Sequence, residues 1–75
     1  IDGGFVRNML ESPLDEFIVE TINRLGHFLG IKTIAESVEN EAIFNRLKEL
    51  GVDYAQGYWI AYPQRLQVHM PRASL

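Results

Sequence analysis

Two capped helical segments separate three short apolar segments along the 75 residues of the chain. Ser12-Pro13 and Asn40 are typical helix starts, and Gly30 and Gly51 stand where helices commonly end. Segments 32–38 and 54–60 are β-branched or aromatic, and residues 1–6 suggest the tail of an earlier strand. This alternation of strand and helix predicts an α/β fold with parallel crossovers.

Both predicted helices carry apolar residues at helical spacing, and we expect these residues to pack in a core. In the first helix they are Leu14, Phe17, Ile18, Ile22, Leu25, Phe28 and Leu29. In the second they are Ile43, Phe44, Leu47 and Leu50. The charged residues of the second helix are interpreted as a solvated face: Glu41, Arg46, Lys48 and Glu49.

Three parallel strands and two helices do not make a closed unit. Such a sheet has two unpaired edges, and two helices cover only one of its faces. A closed (β/α) barrel removes these edges but needs ~250 residues. The pattern therefore predicts about two and a half repeats of a barrel, which we do not expect to fold stably as a monomer. Residues 66–70 are either irregular or the start of a final helix, which Pro71 would limit.

The composition narrows the functional classes. The formal charge is −3 with mixed signs, which gives no basis for electrostatic binding of nucleic acid or an anionic membrane. There are no cysteines, hence no disulfide or thiolate chemistry, and no apolar run long enough to span a membrane. The chain starts without Met or a signal-peptide pattern, so we expect a cut inside a longer chain. The lack of cysteines fits a reducing compartment, so we expect a cytoplasmic protein, which other domains could attach to a membrane.

Two polar residues stand near the ends of the predicted strands. Glu36 follows the apolar residues 34–35, and Gln56 occupies the corresponding place in the next strand, before Gly57. Ligands of parallel α/β sheets meet the carboxyl ends of the strands, where such side chains could hold a metal or orient a phosphate or water. A structural ion pair for Glu36 and a buried, backbone-bonded Gln56 are the alternatives.

Other polar residues are weaker candidates. Glu39 either holds the loop after Glu36 or contacts substrate. Asp2 could point into the barrel and orient a neighbouring lysine or ligand. His27 lies in the first helix away from the strand ends and is interpreted as structural. The aromatic residues either pack a core or stack on a base; they are Tyr54, Tyr58, Trp59 and Tyr62.

Three short motifs occur in a fixed order: I-D-x-x-F-V at residues 1–6, A-E-S-V-E at 35–39, and L-G-V-D-Y-A-Q-G-Y at 50–58. In this order the chain resembles the C-terminal part of EAL domains over residues 1 to about 65, with an uncertain tail at 66–75. The family's motifs are K-I-D-x-x-F-V, A-E-x-V-E and L-G-x-D-x-x-Q-G-Y. Ser37 stands where a glycine is common.

The resemblance implies a fold and a reaction. EAL domains are modified TIM-like (β/α)8 barrels that hydrolyse cyclic-di-GMP (c-di-GMP) to linear pGpG with two Mg²⁺ or Mn²⁺ ions. By the same resemblance, Glu36 is a metal ligand and catalytic residue, and Gln56 lies beside the same metal and water cluster. Glu39 and Asp2 match positions that bind substrate or stabilise a loop.

Most of the family's metal ligands lie upstream of the motifs present here: the E-A-L glutamate, the asparagine and glutamate that follow it, and the paired aspartates. The lysine of K-I-D, which would immediately precede Ile1, is also missing. The chain alone is therefore expected to be inactive. The resemblance implies a phosphodiesterase as the complete domain; the alternatives are a degenerate, non-catalytic c-di-GMP receptor and a protein-interaction module. The expected partners are c-di-GMP, the rest of the EAL domain, attached regulatory domains and a second copy in a homodimer.

Overall fold

A computed structural model describes residues 1–60 and 62–67 of the chain. In chain order the elements are α1 (Gly3–Asn8), α2 (Pro13–Phe28), β1 (Ile34–Ala35), α3 (Glu41–Leu50), β2 (Tyr54–Ala55) and β3 (Gln64–Arg65). The sheet order is β1-β2-β3, with β1 and β2 parallel and β2 and β3 antiparallel. The parallel crossover through α3 confirms the α/β prediction.

The two predicted helices begin and end where their caps indicate. The Ser12 side chain accepts a hydrogen bond from the Asp15 N–H at 3.2 Å, and the Asn40 side chain accepts one from the Ile43 N–H at 2.9 Å. Gly30 (φ 77°) follows α2 and Gly51 (φ 88°) caps α3, both in the left-handed region that glycine adopts without steric cost. Local capping chemistry therefore sets both helices.

The predicted strand over residues 1–6 is wrong beyond its first residue. The Glu36 N–H donates to the Ile1 carbonyl oxygen at 3.2 Å, and the Ile1 nitrogen donates to the Ile34 carbonyl oxygen, so Ile1 lies beside β1 as a parallel neighbour. Asp2 then caps α1 by accepting a hydrogen bond from the Gly4 N–H at 2.7 Å. The cap turns the chain into a helix because it satisfies a free amide of the first turn.

The two predicted strands that form are shorter than predicted, and the sheet gains an antiparallel strand that the sequence did not indicate. Residues 32–38 and 54–60 each supply only two paired residues, in the register Ile34↔Tyr54 and Ala35↔Ala55. The polar pair Gln64–Arg65 forms β3 and pairs antiparallel with β2. Leu66 and Gln67 are not helical, and residues 68–70 of the suggested final helix lie outside the described residues.

The core lies between the helices and one face of the sheet. Burial alternates along β1, where Thr33 and Ala35 are buried while Ile34 and Glu36 are exposed. This period of two is that of a strand with one covered face, so the other face of the sheet is bare. The buried apolar residues are Val6, Met9, Val19, Ala35, Val38, Ile43, Leu47, Val52, Ala55 and Leu66.

The predicted core role of the α2 stripe is wrong for the described chain. Val19 and Asn23 form the buried side of α2, whereas Phe17 is 64% exposed and Phe28 is 87% exposed. The stripe lies on the opposite side of the helix, and no described part of the chain covers it. In α3 the prediction is confirmed, because Ile43 and Leu47 are buried.

Arg46, predicted to lie on the solvated face of α3, also pairs with a neighbouring helix. Arg46 forms an ion pair with Glu16 of α2, with Nη2 and Oε1 2.5 Å apart. The hydrogen bond from Arg46 lowers the pKa of the Glu16 carboxyl below its ordinary value, although slight burial opposes this.

Among the described residues, no helix is both long and apolar enough to cross a membrane.

Candidate functional site

Glu36 and Gln56 stand side by side at the carboxyl ends of β1 and β2. Each immediately follows a paired alanine, since Ala35 is aligned with Ala55. The Gln56 N–H donates to the Ala35 carbonyl oxygen at 3.0 Å, and the Gln56 carbonyl accepts from the Val38 N–H at 3.0 Å. The two side chains therefore project from the bare face of the sheet, at the strand ends that the sequence pattern predicted for them.

Both residues line an open cleft of about 520 Å³, together with Ser37, Gly57, Tyr58 and Ile60. Glu36 is exposed, Gln56 is half-buried, and neither side chain hydrogen-bonds to another described residue. The alternatives of an ion-paired Glu36 and a backbone-bonded Gln56 side chain thus have no counterpart among the described contacts. An exposed carboxylate and an adjacent amide leave oxygen donors open to a ligand.

Gly57 allows two backbones to meet below this cleft. A Cβ atom at position 57 would lie 2.3 Å from the Val38 nitrogen and 2.6 Å from its oxygen. The Trp59 N–H also donates to the Val38 oxygen at 3.2 Å. The glycine therefore serves the close approach of another backbone.

Ser37 also lines the cleft, and the sequence pattern did not identify it as a candidate site residue. Its backbone is left-handed (φ 61°), a conformation that costs non-glycine residues energy and often occurs at functional sites. Its hydroxyl accepts a hydrogen bond from Arg7 Nη1 at 3.1 Å, and Gly3 of α1 packs against its side chain. These contacts span 30 residues or more, so no local signal indicates them.

The weaker candidates do not line the cleft. Asp2 is exposed and caps α1, and Glu39 is exposed in the loop before α3 without a described hydrogen bond. Asn40 caps α3 as predicted. His27 pairs with Asp53 at the opposite end of the strands, so it lies outside the cleft.

The aromatic residues divide between packing and exposure. Trp59 packs on Phe44 with ring centroids 5.1 Å apart, while Tyr58 lines the cleft and is 99% exposed. Tyr54 is half-buried and Tyr62 is exposed. Among these four aromatic residues, only Tyr58 both lines the cleft and has an exposed ring that could stack on a base.

A family model described as "EAL domain" matches residues 1–63. Cyclic di-GMP phosphodiesterase PdeB of Shewanella oneidensis is 47% identical over 66 residues, which cover 88% of this chain and 8% of that protein. Cyclic di-GMP phosphodiesterase PdeF of Escherichia coli is 46% identical over 66 residues, 88% of this chain and 9% of that protein. The chain thus spans less than a tenth of the length of these curated relatives.

Solved structures give the same assignment. The PaMucR phosphodiesterase in complex with c-di-GMP superposes with a TM-score of 0.78 at 37% identity, over 87% of this chain and 26% of that chain. A standalone EAL protein of Vibrio cholerae with c-di-GMP bound superposes with a TM-score of 0.76 at 35% identity, over 88% and 28%. The described α/β structure is therefore part of a TIM-like barrel, as predicted, and the chain belongs to the EAL domain family.

Proposed function

We propose that this chain is part of a phosphodiesterase that hydrolyses c-di-GMP to linear pGpG. The observation that carries the proposal is the placement of Glu36 and Gln56 on neighbouring strand ends, facing one cleft. The names of the relatives and the c-di-GMP in two related structures support the choice of substrate.

The donor set of the cleft suits Mg²⁺ or Mn²⁺. Glu36 offers an exposed carboxylate and Gln56 an amide oxygen, and such hard oxygen ligands are the ones these ions prefer. Within residues 1–60 and 62–67, no three acidic, His or Cys residues lie close enough together to hold a metal ion. We therefore infer that this chain supplies one carboxylate ligand and that the other ligands come from further parts of the EAL domain.

In such a site, divalent cations supply Lewis acidity at the phosphate and lower the pKa of water. Glu36 would hold this charge at the end of β1, and its carboxylate would also accept a hydrogen bond from the attacking water. Gln56 would orient the same water or a phosphate oxygen through its neutral amide. Backbone hydrogen bonds place the Cα atoms of both residues side by side before substrate binds, and such prior positioning is one way to lower a barrier.

Two further residues have supporting roles in this proposal. Asp2 stabilises the start of α1 through its bond to the Gly4 N–H, which favours the loop-stabilising interpretation. Glu39, exposed in the loop after Glu36, remains available either to that loop or to substrate.

The main structural partner in this proposal is the rest of the barrel. The bare sheet face and the exposed α2 stripe both need apolar cover, and further barrel repeats would supply it. Attached regulatory domains and a homodimer remain predictions from the family.

The test is c-di-GMP hydrolysis with Mg²⁺ by the full-length protein that carries this chain. Glu36→Gln keeps the size of the side chain but removes its charge, so we expect pGpG release to fall by about a hundredfold or more. Glu11→Gln is the matched control, because Glu11 is also exposed but lies outside the cleft. This control should retain full activity.

Two outcomes would contradict the proposal. If Glu36→Gln retained activity, Glu36 would not be a metal ligand. If the unchanged protein bound c-di-GMP but released no pGpG, it would be a receptor instead.

A further inference from the structure

Thr33 and Asp53 bond to each other at the starts of β1 and β2. The Thr33 N–H donates to Asp53 Oδ2 at 2.9 Å, and the Asp53 N–H donates to Thr33 Oγ1 at 3.2 Å. The Tyr54 N–H also donates to the Thr33 carbonyl oxygen at 3.0 Å. We call this reciprocal pair, Thr33 with Asp53, the register clamp.

Two residues of α2 support the register clamp from outside. His27 Nε2 lies 2.6 Å from Asp53 Oδ2, and since an ionised carboxylate only accepts, the imidazole nitrogen carries the proton. The Thr33 hydroxyl donates to Asn23 Oδ1 at 2.5 Å, and Asn23 Nδ2 donates to the Leu50 carbonyl oxygen at 3.1 Å. The clamp is thus fixed to the last turns of both α2 and α3.

The clamp lies three residues before each site residue. β1 and β2 have only two aligned residue pairs, so their ladder alone holds the register weakly. A slip of one residue in a strand moves every side chain to the other face of the sheet. Such a slip would turn Gln56 away from the cleft and put Ala55 in its place.

We propose that Asp53 and Thr33 are positioning residues, which fix the register of β1 and β2 and thereby hold Glu36 and Gln56 opposite each other in the cleft. Neither residue lines the cleft, so they act through the strands. The effect on catalysis rests on the proposed function, whereas the effect on register does not.

The experiment compares three variants of the full-length protein. Asp53→Ala removes the clamp acceptor. Asp53→Asn keeps an oxygen that can accept from the Thr33 N–H and from His27. Val19→Ala is the control, because it removes buried apolar volume from α2 without touching the clamp. All kinetics are measured with c-di-GMP at a temperature at which circular dichroism shows each variant to be folded.

We expect Asp53→Ala to lower kcat by about tenfold or more, because small displacements of positioned groups have effects of this size. KM should change by less than about threefold, since binding groups elsewhere are intact. Asp53→Asn should recover most of kcat, and Val19→Ala should leave kcat unchanged even if it melts as early as Asp53→Ala. Equal kcat in Asp53→Ala and Val19→Ala would overturn the proposal.

Hydrogen exchange provides a readout independent of activity. In Asp53→Ala, the peptide that contains the Gln56 amide should exchange about tenfold faster or more than in Val19→Ala, because the parallel pairing opens. Unchanged exchange would overturn the proposal even if the protein proved inactive. If the unchanged protein proved inactive while Asp53→Ala still showed the faster exchange, the proposed function would be refuted and the positioning role would stand.

Discussion

The backbone of Val38 occupies the space where a side chain of residue 57 would begin, with the Val38 nitrogen 2.3 Å from the position of a Cβ atom on Gly57. Val38 also accepts from Trp59 and donates to Gln56, so it cannot move away without loss of these hydrogen bonds. The glycine and the strand ends of the site are therefore parts of one packed arrangement.

Gly57→Ala should destabilise the protein by about 1–3 kcal/mol, the usual cost of overpacking, and should lower c-di-GMP hydrolysis as well. Gly30→Ala is the matched control. Gly30 also has a positive φ, but no atom lies within 4 Å of its Cβ position, so only the backbone cost applies. Urea denaturation of both variants measures their free energies of unfolding. Equal losses of stability would contradict the prediction, because they would show that the Val38 backbone moves aside at little cost.

A double-mutant cycle tests the contact between α1 and the cleft. A Cβ atom at Gly3 would lie 2.2 Å from Ser37 Oγ, so Gly3→Ala alone should cost about 1–3 kcal/mol. Ser37→Gly removes this obstacle. It also removes the strain of a serine in the left-handed backbone conformation, which is about 1–2 kcal/mol for an L-residue. In the Ser37→Gly background, Gly3→Ala should therefore be nearly neutral in urea unfolding. Additive effects would contradict the contact.

Asp53 should contribute to acid sensitivity. Burial alone would raise the pKa of Asp53, but the hydrogen bonds from the Thr33 N–H and from His27 lower it below its ordinary value. A group whose pKa is lower in the folded state stabilises the fold above its unfolded pKa. That stability disappears as the pH falls through the folded pKa.

The stability advantage of the unchanged protein over Asp53→Asn should therefore be constant above about pH 5 and decline below about pH 4, the ordinary aspartate range. Urea midpoints between about pH 2.5 and 6 measure it. An advantage that grew towards acid pH would show the opposite sign and exclude this assignment.

Residues 1–75 expressed alone should not melt cooperatively as a monomer. Leu14, Phe17, Leu25 and Phe28 of α2 are each more than half exposed, and one sheet face is bare. Calorimetry and sedimentation of a dilute sample provide the measurement. A single sharp transition from a monodisperse monomer would contradict the prediction.

The parts of the fold that local chemistry decides were predictable from the sequence. Ser12 and Asn40 start their helices and Gly30 and Gly51 follow the ends, since each acts on amides or carbonyls within a few residues. The positions of Glu36 and Gln56 at the strand ends were predictable for a related reason, because parallel crossovers bring those ends to one edge.

The remaining features depend on contacts between distant residues. The contacts of Arg7 with Ser37, of Asn23 with Thr33 and of Thr33 with Asp53 follow no periodic pattern that would indicate them. β3 escaped prediction because Gln64 and Arg65 are polar and exposed, so only their pairing with β2 makes them a strand. The α2 stripe was misassigned because periodicity identifies an apolar face but does not say which neighbour covers it.

The crossover through α3 returns to its start within 20 residues, from Thr33 to Asp53, and is closed again at its far end by Val38 and Gln56. The entropic cost of closing a loop grows with its length, so this 20-residue loop costs less to close than the 30-residue one between Arg7 and Ser37. Residues 33–56 should therefore open and close as one foldon. Because Glu36 and Gln56 both belong to it, one local unfolding event would withdraw both residues from the cleft together.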